Sequence, residues 1–269
     1  MTLPVALTIA GSDSGAGAGI QADMKTFAAF GVYGVTVITA ITAQNTVGVR
    51  AVQDVDPGVI AAQLDAVAED FAIAALKTGM LSSAVIIEAV AAGLERHGLR
   101  PLVVDPVMVA KSGDRLLRED AVDALRRRLL PLAQVVTPNI PEAEVLAGRS
   151  IRTRDDRVAA ARAIMDLGAN AVVIKGGHSE DDPIVDLLVD NGGVHEYRAS
   201  RIVTTSTHGT GCTFSAAITA GLAAGMDLPH AVAEARDYVS RALATAPGLG
   251  HGHGPLNHFA SPEVAHAHN

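Results

Sequence analysis

The sequence contains a single cysteine, Cys212, among its 269 residues, so an internal disulfide is impossible. Positive charge is also scarce, because 21 Lys and Arg residues stand against 29 Asp and Glu residues and the formal net charge is -8. This balance is the opposite of the electrostatic signature of a nucleic-acid-binding protein. We therefore expect no nucleic-acid partner.

The sequence also lacks a targeting or membrane-spanning signal. No basic residue precedes the apolar stretch at the N-terminus, so the reducing cytoplasm is the expected location. Two long stretches without Asp, Glu, Lys or Arg, 26–49 and 202–226, reach the length of a membrane span, but glycine and polar residues interrupt both. We expect both stretches in a buried core and no association with a membrane.

The overall composition is that of a globular protein. Hydrophobic residues make up 49% of the chain and charged residues 19%, which excludes a disordered, collagen-like or coiled-coil protein. A chain of this size buries about three quarters of its unfolded surface and needs neither disulfides nor a metal to form a core. We predict one domain over 1–269, in which about 250–269 form a terminal segment and a frayed tail.

Short apolar runs alternate with segments of helical periodicity along most of the chain. The predicted order is strand 5–10, helix 19–30, strand 35–43, helix 59–71, strand 74–77, helix 84–97, strand 102–105, helix 120–130, strand 135–137, helix 155–167 and strand 171–174. The segments 185–189 and 194–198 flank an Asp-Asn-Gly-Gly turn and predict a hairpin, and two helices follow at 211–224 and 228–245. This pattern predicts an α/β fold, with a central, mostly parallel sheet, helices on both faces and a small antiparallel hairpin. Such sheets bind ligands at the carboxyl ends of their strands.

The glycine-rich run 15–19 lies between a strand and a helix, where a dinucleotide-binding turn would also lie. The G-x-G-x-x-G pattern would require glycine at position 20 or 22, and these positions hold Ile20 and Ala22. The G-x-x-x-x-G-K pattern is absent as well, because no Gly-Lys pair occurs. This run is either a flexible turn that allows close helix packing or a loop on the substrate side.

A second run of small residues, Gly209, Thr210 and Gly211, comes directly before a long apolar helix. Small residues allow backbone N–H groups to converge, and the helix N-terminus adds roughly half a positive charge. We therefore predict an anion site at this turn.

The ordered motifs of this chain resemble those of the hydroxymethylpyrimidine/phosphomethylpyrimidine kinases of thiamine biosynthesis, which are ribokinase-like enzymes. The resemblance spans nearly the whole chain, and it implies a single ribokinase-like domain and an ATP-dependent kinase that uses Mg²⁺. The segments that carry it are ALTIAGSD (6–13), AGIQAD (18–23), KTF (25–27), AQNT (43–46), KTGM (77–80), DPVM (105–108), AKSG (110–113), TPN (137–139), PE (141–142), KGGH (175–178) and THGTGC (207–212).

The resemblance implies that an aminopyrimidine alcohol is the substrate and is held by Gln44 and Asp23. An amide offers a paired donor and acceptor that matches an aminopyrimidine edge, and the carboxylate can accept from the amino or hydroxymethyl group. Gly11 belongs to the same substrate side, and Met80 and Val107 would pack on the flat ring. Otherwise Gln44 is a polar residue at a strand end and Asp23 a charge on a helix surface.

The resemblance further implies a nucleotide and metal side. Asn139 and Glu142, three residues apart at the start of a helix, resemble the N-x-x-E feature of ribokinase-like enzymes, in which the carboxylate serves Mg²⁺. An acidic residue in a first helical turn is also ordinary dipole complementarity. Asp105 orients Mg²⁺ or the phosphates, or only caps a turn. Lys175 neutralises triphosphate charge, or its ammonium group extends from the sheet end to solvent. Lys111 is expected to help cover the substrate.

Cys212 stands where many ribokinase-like kinases carry aspartate. A thiol at a helix N-terminus is expected to have a lowered pKa and could accept the proton of the substrate alcohol. Alternatively the residue fixes geometry, because a loose transition state gains little from early deprotonation, or it is an inert buried cysteine. Together with Gly209, Thr210 and Gly211 it forms the predicted catalytic group.

Other functions share parts of this pattern. A pyridoxal or pyridoxine kinase would phosphorylate a similar hydroxymethyl group on the same fold, and a pyrimidine-binding sensor without turnover would keep the pocket. A nicotinamide dehydrogenase is disfavoured by the failed glycine spacing. Five of the ten histidines lie after position 250, but with one cysteine we expect no structural zinc site there. A homodimer is expected from the family resemblance.

Overall fold

The alternation of strands and helices in the sequence produces one twisted sheet with helices on both faces. The computed structural model describes residues 3–109, 113, 116, 119–178 and 182–262. Within these ranges nine strands form the sheet: β1 (Val5–Asp13), β2 (Tyr33–Gln44), β3 (Val49–Asp54), β4 (Ile73–Thr78), β5 (Leu102–Val104), β6 (Val135–Val136), β7 (Val172–Ile174), β8 (Ile184–Asp190) and β9 (Gly193–Ala199).

The sheet is parallel in its centre and antiparallel at its edges. The strand order is β3-β2-β1-β4-β5-β6-β7-β8-β9, and the pairs from β2 to β7 are parallel. Strand β3 pairs antiparallel with β2, and β8 pairs antiparallel with both β7 and β9. The predicted α/β class, with a mostly parallel sheet and a small hairpin, is confirmed.

Helices cover both faces of the sheet because adjacent residues of the buried strands point in opposite directions. The helices are α1 (Gly19–Ala29), α2 (Pro57–Asp70), α3 (Ala84–His97), α4 (Glu119–Ala124), α5 (Ile140–Ala147), α6 (Arg154–Met165), α7 (Thr210–Ala223) and α8 (Leu228–Ala244). On β5, Val104 joins the core under α2 to α6, whereas its neighbour Val103 joins the core under α1, α7 and α8. Both valines are fully buried.

Helix boundaries follow local chemistry. Helix α3 begins at the N-cap Ser83, whose hydroxyl accepts from the N–H of Ile86, and it ends at Gly98 in the left-handed conformation. The predicted helix 120–130 is shorter than expected, because α4 ends at Ala124 and continues as a π-helical turn over Leu125–Leu129 and a 3-10 turn over Leu130–Leu132. Pro131 lies in that last turn and cannot continue an α-helix, because it has no N–H group.

The two faces of the sheet also account for the long uncharged stretches of the sequence. The first stretch contains all of β2, and the second contains α7, of which ten residues are buried. None of the helices within the described ranges is long and apolar enough to cross a bilayer.

Candidate active site

A cavity of about 880 Å³ opens at the carboxyl ends of the parallel strands. It lies where an α/β sheet is expected to bind its ligands. Its lining contains most of the residues singled out in the sequence: Gly11, Asp23, Gln44, Met80, Asp105, Val107, Asn139, Glu142, Lys175, Gly209, Thr210, Gly211 and Cys212. Lys111 lies outside the described residues, so its predicted role stays a prediction.

Gln44 ends β2 on one side of this cavity. Its backbone is fixed by Ser14, because the Gln44 N–H donates to Ser14 Oγ at 2.8 Å and the Ser14 hydroxyl donates to the Gln44 carbonyl at 2.7 Å. The hydroxyl of Thr42 lies 2.9 Å from the Ser12 carbonyl oxygen and 3.1 Å from Gln44 Oε1, so its one hydrogen is shared between these two acceptors. The amide is thus held at the strand end with a defined orientation.

Gly11, in β1, lies against Met80, in the segment that follows β4. A Cβ on Gly11 would lie 3.2 Å from the Met80 sulfur, so the absence of a side chain lets Met80 approach the strand closely. Val107, which follows β5, borders the same cavity. These residues provide apolar wall beside the Gln44 amide.

Asp23 is fully buried in the wall and forms an ion pair with Lys77, a residue that sequence reasoning did not assign to the site. Lys77 Nζ donates to Asp23 Oδ1 at 2.7 Å, and the Thr8 hydroxyl donates to Asp23 Oδ2 at 2.6 Å. Burial alone would lower the pKa of Lys77, but the attraction of Asp23 raises it above its usual value. A buried ammonium group therefore lies at the floor of the cavity.

A second charged cluster joins the ends of β5 and β7. Lys175 Nζ lies 3.1 Å from Asp105 Oδ1, and Ser215 Oγ lies 3.3 Å from Asp105 Oδ2 and 3.0 Å from the Cys212 carbonyl oxygen. Burial would lower the pKa of Lys175, but the negative charges of Asp105 and Glu142 raise it, so its ammonium group stays protonated. This cluster places the Lys175 ammonium group in contact with Asp105, and the charge of Glu142 also acts on it.

Glu142 and Asn139 form the capping box of α5. The Asn139 N–H donates to Glu142 Oε2 at 2.8 Å, and the Glu142 N–H donates to Asn139 Oδ1 at 2.9 Å. Burial raises the pKa of Glu142 to about 7, although Lys175 acts to lower it. Glu142 therefore already caps α5 and also accepts from the backbone of Met108, and its location at the cavity beside Lys175 is what makes it a candidate ligand for a cation.

The predicted anion turn forms the first turn of α7. Its N-cap, Gly209, has a φ of 82°, in the left-handed region that favours glycine, and Thr210 Oγ1 donates to the Thr207 carbonyl at 2.8 Å. A Cβ on Gly211 would lie 3.2 Å from Lys175 Nζ and 3.9 Å from Asp105 Oδ2. The turn therefore lies directly beside the ammonium group of Lys175, and both attract negative charge.

The prediction of a lowered pKa for Cys212 is wrong. Burial raises the pKa of its thiol to about 12, and the negative charges of Asp105 and Asp23 act in the same direction. Lys77 and the N–H of Gly19 act to lower the pKa but are outweighed. Within this site the thiol is protonated at neutral pH, because burial outweighs the effect of the helix N-terminus.

The carboxyl groups of Asp105 and Glu142 are hard oxygen donors of the kind that Mg²⁺ prefers. Both act on Lys175, so they lie on the same side of the cavity. Within the part of the chain that the structure describes, no group of three or more His, Cys, Asp or Glu side chains is arranged as a complete metal site. Two carboxyl groups are fewer ligands than Mg²⁺ takes, so an ion held here would need its other ligands from water and phosphate.

Comparison with known proteins connects this geometry to one enzyme family. The family model described as phosphomethylpyrimidine kinase matches residues 13–257. A hydroxymethylpyrimidine/phosphomethylpyrimidine kinase of Rhizobium meliloti (strain 1021) is 55% identical over 258 residues, which cover 95% of this chain and 97% of the relative. A thiamine biosynthesis bifunctional protein of Geobacter sulfurreducens is 51% identical over 257 residues, which cover 96% of this chain and 52% of that relative.

Among solved structures, an ADP complex of Bacillus subtilis pyridoxal kinase superposes with a TM-score of 0.89. It is 41% identical, and the match covers 96% of this chain and 98% of that one. The expected ribokinase-like architecture is confirmed.

Proposed function

The chain belongs to the phosphomethylpyrimidine kinase family, and from this membership we propose that it transfers a phosphoryl group from ATP to 4-amino-5-hydroxymethyl-2-methylpyrimidine. The protein is a phosphotransferase, and the monophosphate formed first is the substrate of a second phosphorylation to the diphosphate. The pathway is thiamine biosynthesis, to which the bifunctional relative also belongs.

One observation carries this proposal: the same cavity contains the Gln44 amide, the turn of Gly209 to Cys212 and the Lys175 ammonium group. Phosphoryl transfer requires the protein mainly to position the reactants and to stabilise negative charge on the transferred oxygens. A turn at a helix N-terminus beside a lysine supplies that stabilisation. A fixed amide on the other side of the cavity supplies recognition of a heteroaromatic ring.

The substrate side of the proposal rests on Gln44, with Gly11, Met80 and Val107 forming the surrounding wall. The amide would pair with the ring nitrogen and amino group of the pyrimidine. Asp23 already accepts from Thr8 and Lys77, so it would contact the substrate through its remaining lone pairs.

On the nucleotide side, Lys175 would neutralise phosphate charge. Asn139, at the start of α5, would bind the nucleotide. Asp105 and Glu142 would hold Mg²⁺, which neutralises charge on the phosphates when bound. The pKa of Glu142 is about 7, so a bound cation would favour its ionised form near neutral pH.

Cys212 would act as a neutral thiol at the start of α7. Its raised pKa disfavours a thiolate that removes the proton of the substrate alcohol, so we assign the residue to positioning of the anion turn and the alcohol. Of the two catalytic roles that the sequence left open, proton acceptor and fixing of geometry, this is the fixing of geometry.

The direct test asks whether ATP turnover depends on the pyrimidine alcohol. Turnover is measured by the release of ADP, and the product is identified by its mass. We expect Gln44→Leu to lose pyrimidine binding in calorimetry, whereas Cys212→Ala keeps binding and loses turnover. ATP consumption that depends on the pyrimidine would exclude the non-catalytic sensor. No turnover by the wild-type protein would refute the proposed function.

The second phosphorylation needs a separate test, because its nucleophile is a phosphomonoester instead of a hydroxyl group. The purified monophosphate is incubated with ATP, and the diphosphate is detected by mass spectrometry. Absence of the diphosphate would remove this half of the proposal and leave the first step standing.

Pyridoxal kinase is the second candidate function, and the 41% identical Bacillus subtilis pyridoxal kinase structure favours it. Both substrates carry a hydroxymethyl group on a flat heteroaromatic ring. Measurement of kcat/KM for the pyrimidine alcohol and for pyridoxal in the same assay separates them, and we expect the pyrimidine to be preferred.

We further propose a cytoplasmic location and a homodimer. The dimer rests on the family resemblance; the edge strands β2 and β3 each expose a large apolar side chain, Ile41 and Val52, but their register places these two side chains on opposite faces of the sheet. Light scattering during size-exclusion chromatography would give the mass in solution, and a mass of 27.6 kDa would refute the dimer.

A further inference from the structure

The glycine-rich loop after β1 is organised by one buried carboxylate, that of Asp13. Asp13 Oδ1 accepts from the N–H of Gly15 at 2.8 Å, and Oδ2 accepts from the N–H groups of Gly17 at 3.0 Å and Ala18 at 2.9 Å. Only 3% of Asp13 is exposed. The loop of residues 14–18 is thus wrapped around a single side chain.

The anion turn contacts that same carboxylate through the residue that precedes Gly209. His208 Nε2 lies 2.8 Å from Asp13 Oδ2, although the two residues are 195 positions apart in the sequence. The N–H of His208 donates to the Gly254 carbonyl at 3.0 Å, so the backbone of the turn is also tied to the C-terminal segment. The imidazole therefore connects two loops of the site.

The two loops interlock without space for additional atoms. A Cβ on Gly17 would collide with the His208 ring, and a Cβ on Gly209 would collide with the Gly17 carbonyl oxygen. Glycine at both positions allows the backbones to approach, and the Asp13–His208 contact holds them together at this separation. A change in the position of one loop must therefore move the other.

The charge of Asp13 supports the contact. Burial alone would raise the pKa of Asp13, but the hydrogen bond from His208 and those from the N–H groups of Ala18 and Gly15 hold it below its usual value. The carboxylate is therefore ionised at neutral pH, and charge-assisted hydrogen bonds of this kind are about twice as strong as neutral ones.

We propose that Asp13 and His208 are a positioning pair that holds the anion turn, residues 207–212, in register with the carboxyl end of β1. Strand β1 contributes Gly11 to the substrate side, whereas the turn receives the transferred phosphoryl group. The inference rests on the proposed function, and it assigns to the pair the alignment of the two reactants. A misplacement on the order of 1 Å at such a site lowers the rate by about a hundredfold.

The kinetic test uses two substitutions of His208 and a matched control. His208→Leu removes the contact, whereas His208→Gln keeps an N–H donor that reaches Asp13. The control is His97→Leu, because His97 Nε2 forms an equivalent contact with Asp65 Oδ1 at 2.7 Å between α2 and α3, away from the cavity. Turnover is measured with ATP and the pyrimidine alcohol, and the dissociation constant of the alcohol is measured by calorimetry.

We expect His208→Leu to lower kcat at least about tenfold while the dissociation constant of the alcohol changes by less than about threefold. His208→Gln should recover most of the lost kcat, and His97→Leu should match the wild type. A general loss of folding would weaken binding together with kcat. An unchanged kcat in His208→Leu, or equal losses of binding and kcat, would overturn the inference.

Hydrogen–deuterium exchange tests the same pair without any substrate. His208→Leu should speed amide exchange in residues 14–18, and Asp13→Asn should speed it in residues 207–212, because each variant releases the opposite loop. Exchange that changes only in the loop carrying the substitution would overturn the inference. If the wild type fails to phosphorylate the pyrimidine, the proposed function fails, and the exchange result still decides whether the pair couples the loops.

Discussion

Replacement of Gly209 by alanine tests whether the anion turn tolerates any movement. Two costs arise at this position. The φ of 82° is unfavourable for a residue with a Cβ, by roughly 1–2 kcal/mol, and the new Cβ would overlap the Gly17 carbonyl oxygen. Overpacking of this kind costs a further 1–3 kcal/mol or so.

Gly225→Ala is a matched control that separates the two costs. Gly225, just after α7, has a φ of 88°, but no atom lies within 4 Å of the position that its Cβ would occupy. This variant therefore carries only the conformational cost, which lowers the Tm by about 2–8 °C in a chain of this size. Its turnover should equal that of the wild type.

Gly209→Ala should be less stable than Gly225→Ala and should lose about a hundredfold in kcat/KM, because the turn must move away from Gly17 by about 1 Å. Thermal unfolding gives the first quantity, and an assay of ADP release gives the second. Equal Tm values for the two variants, with a kcat/KM for Gly209→Ala within about threefold of the wild type, would refute the proposed packing of the turn.

Three further predictions follow from the charges in the site. Lys77→Met leaves the buried Asp23 carboxylate without its partner and should lower the free energy of unfolding by about 3–5 kcal/mol in urea titrations, whereas Arg96→Met, which breaks an exposed ion pair, should cost less than about 1 kcal/mol. The pKa of Glu142 is raised from 4.5 to about 7 in the folded state, so its contribution to stability is complete below pH 4.5 and is lost as the pH rises to about 7. That loss amounts to about 3 kcal/mol, and Glu142→Gln should lack it in unfolding curves across this range; equal pH dependence of the two proteins would contradict the raised pKa. Cys212 is partly exposed at the cavity, so its labelling by iodoacetamide reports mainly the protonation of the thiol; it should react at about pH 7.5 more slowly in the native protein than in urea, as followed by mass spectrometry, and native labelling as fast as in urea would contradict the raised pKa.

The parallel centre of the sheet was predictable because each of its units has a local signature. The buried strands read as apolar runs and the helices as amphipathic segments, so α3 was predicted with its observed bounds, 84–97. Strand β3 was missed. Most of its residues are exposed, and its pairing with β2 determines its structure more than its own sequence pattern does.

The members of the site were predicted better than their interactions. Strand ends and motif positions locate Gln44 and Lys175 on the cavity without any knowledge of contacts. The ion pair between Lys77 and Asp23 joins residues 54 positions apart, and no local pattern marks it. The one signal in the sequence is a lysine within a buried strand, which indicates a buried partner of opposite charge. For Cys212 the rule for helix N-termini predicts the wrong direction of the pKa shift, because the degree of burial is a tertiary property.

The C-terminal segment packs on the loop after β2, and this contact has a consequence for the order in which the protein is assembled during synthesis. The N–H of His253 donates to the Thr46 carbonyl at 2.8 Å, and a Cβ on Gly250 or Gly252 would collide with Thr46. Thr46 is translated about 200 residues before this segment, so its contacts with Gly250, Gly252 and His253 can form only after nearly the whole chain has been made. A nascent chain arrested after β9 would contain every strand of the described sheet but would lack the anion turn, the segment that packs on Thr46, and helices α7 and α8, which supply most of the core on one face.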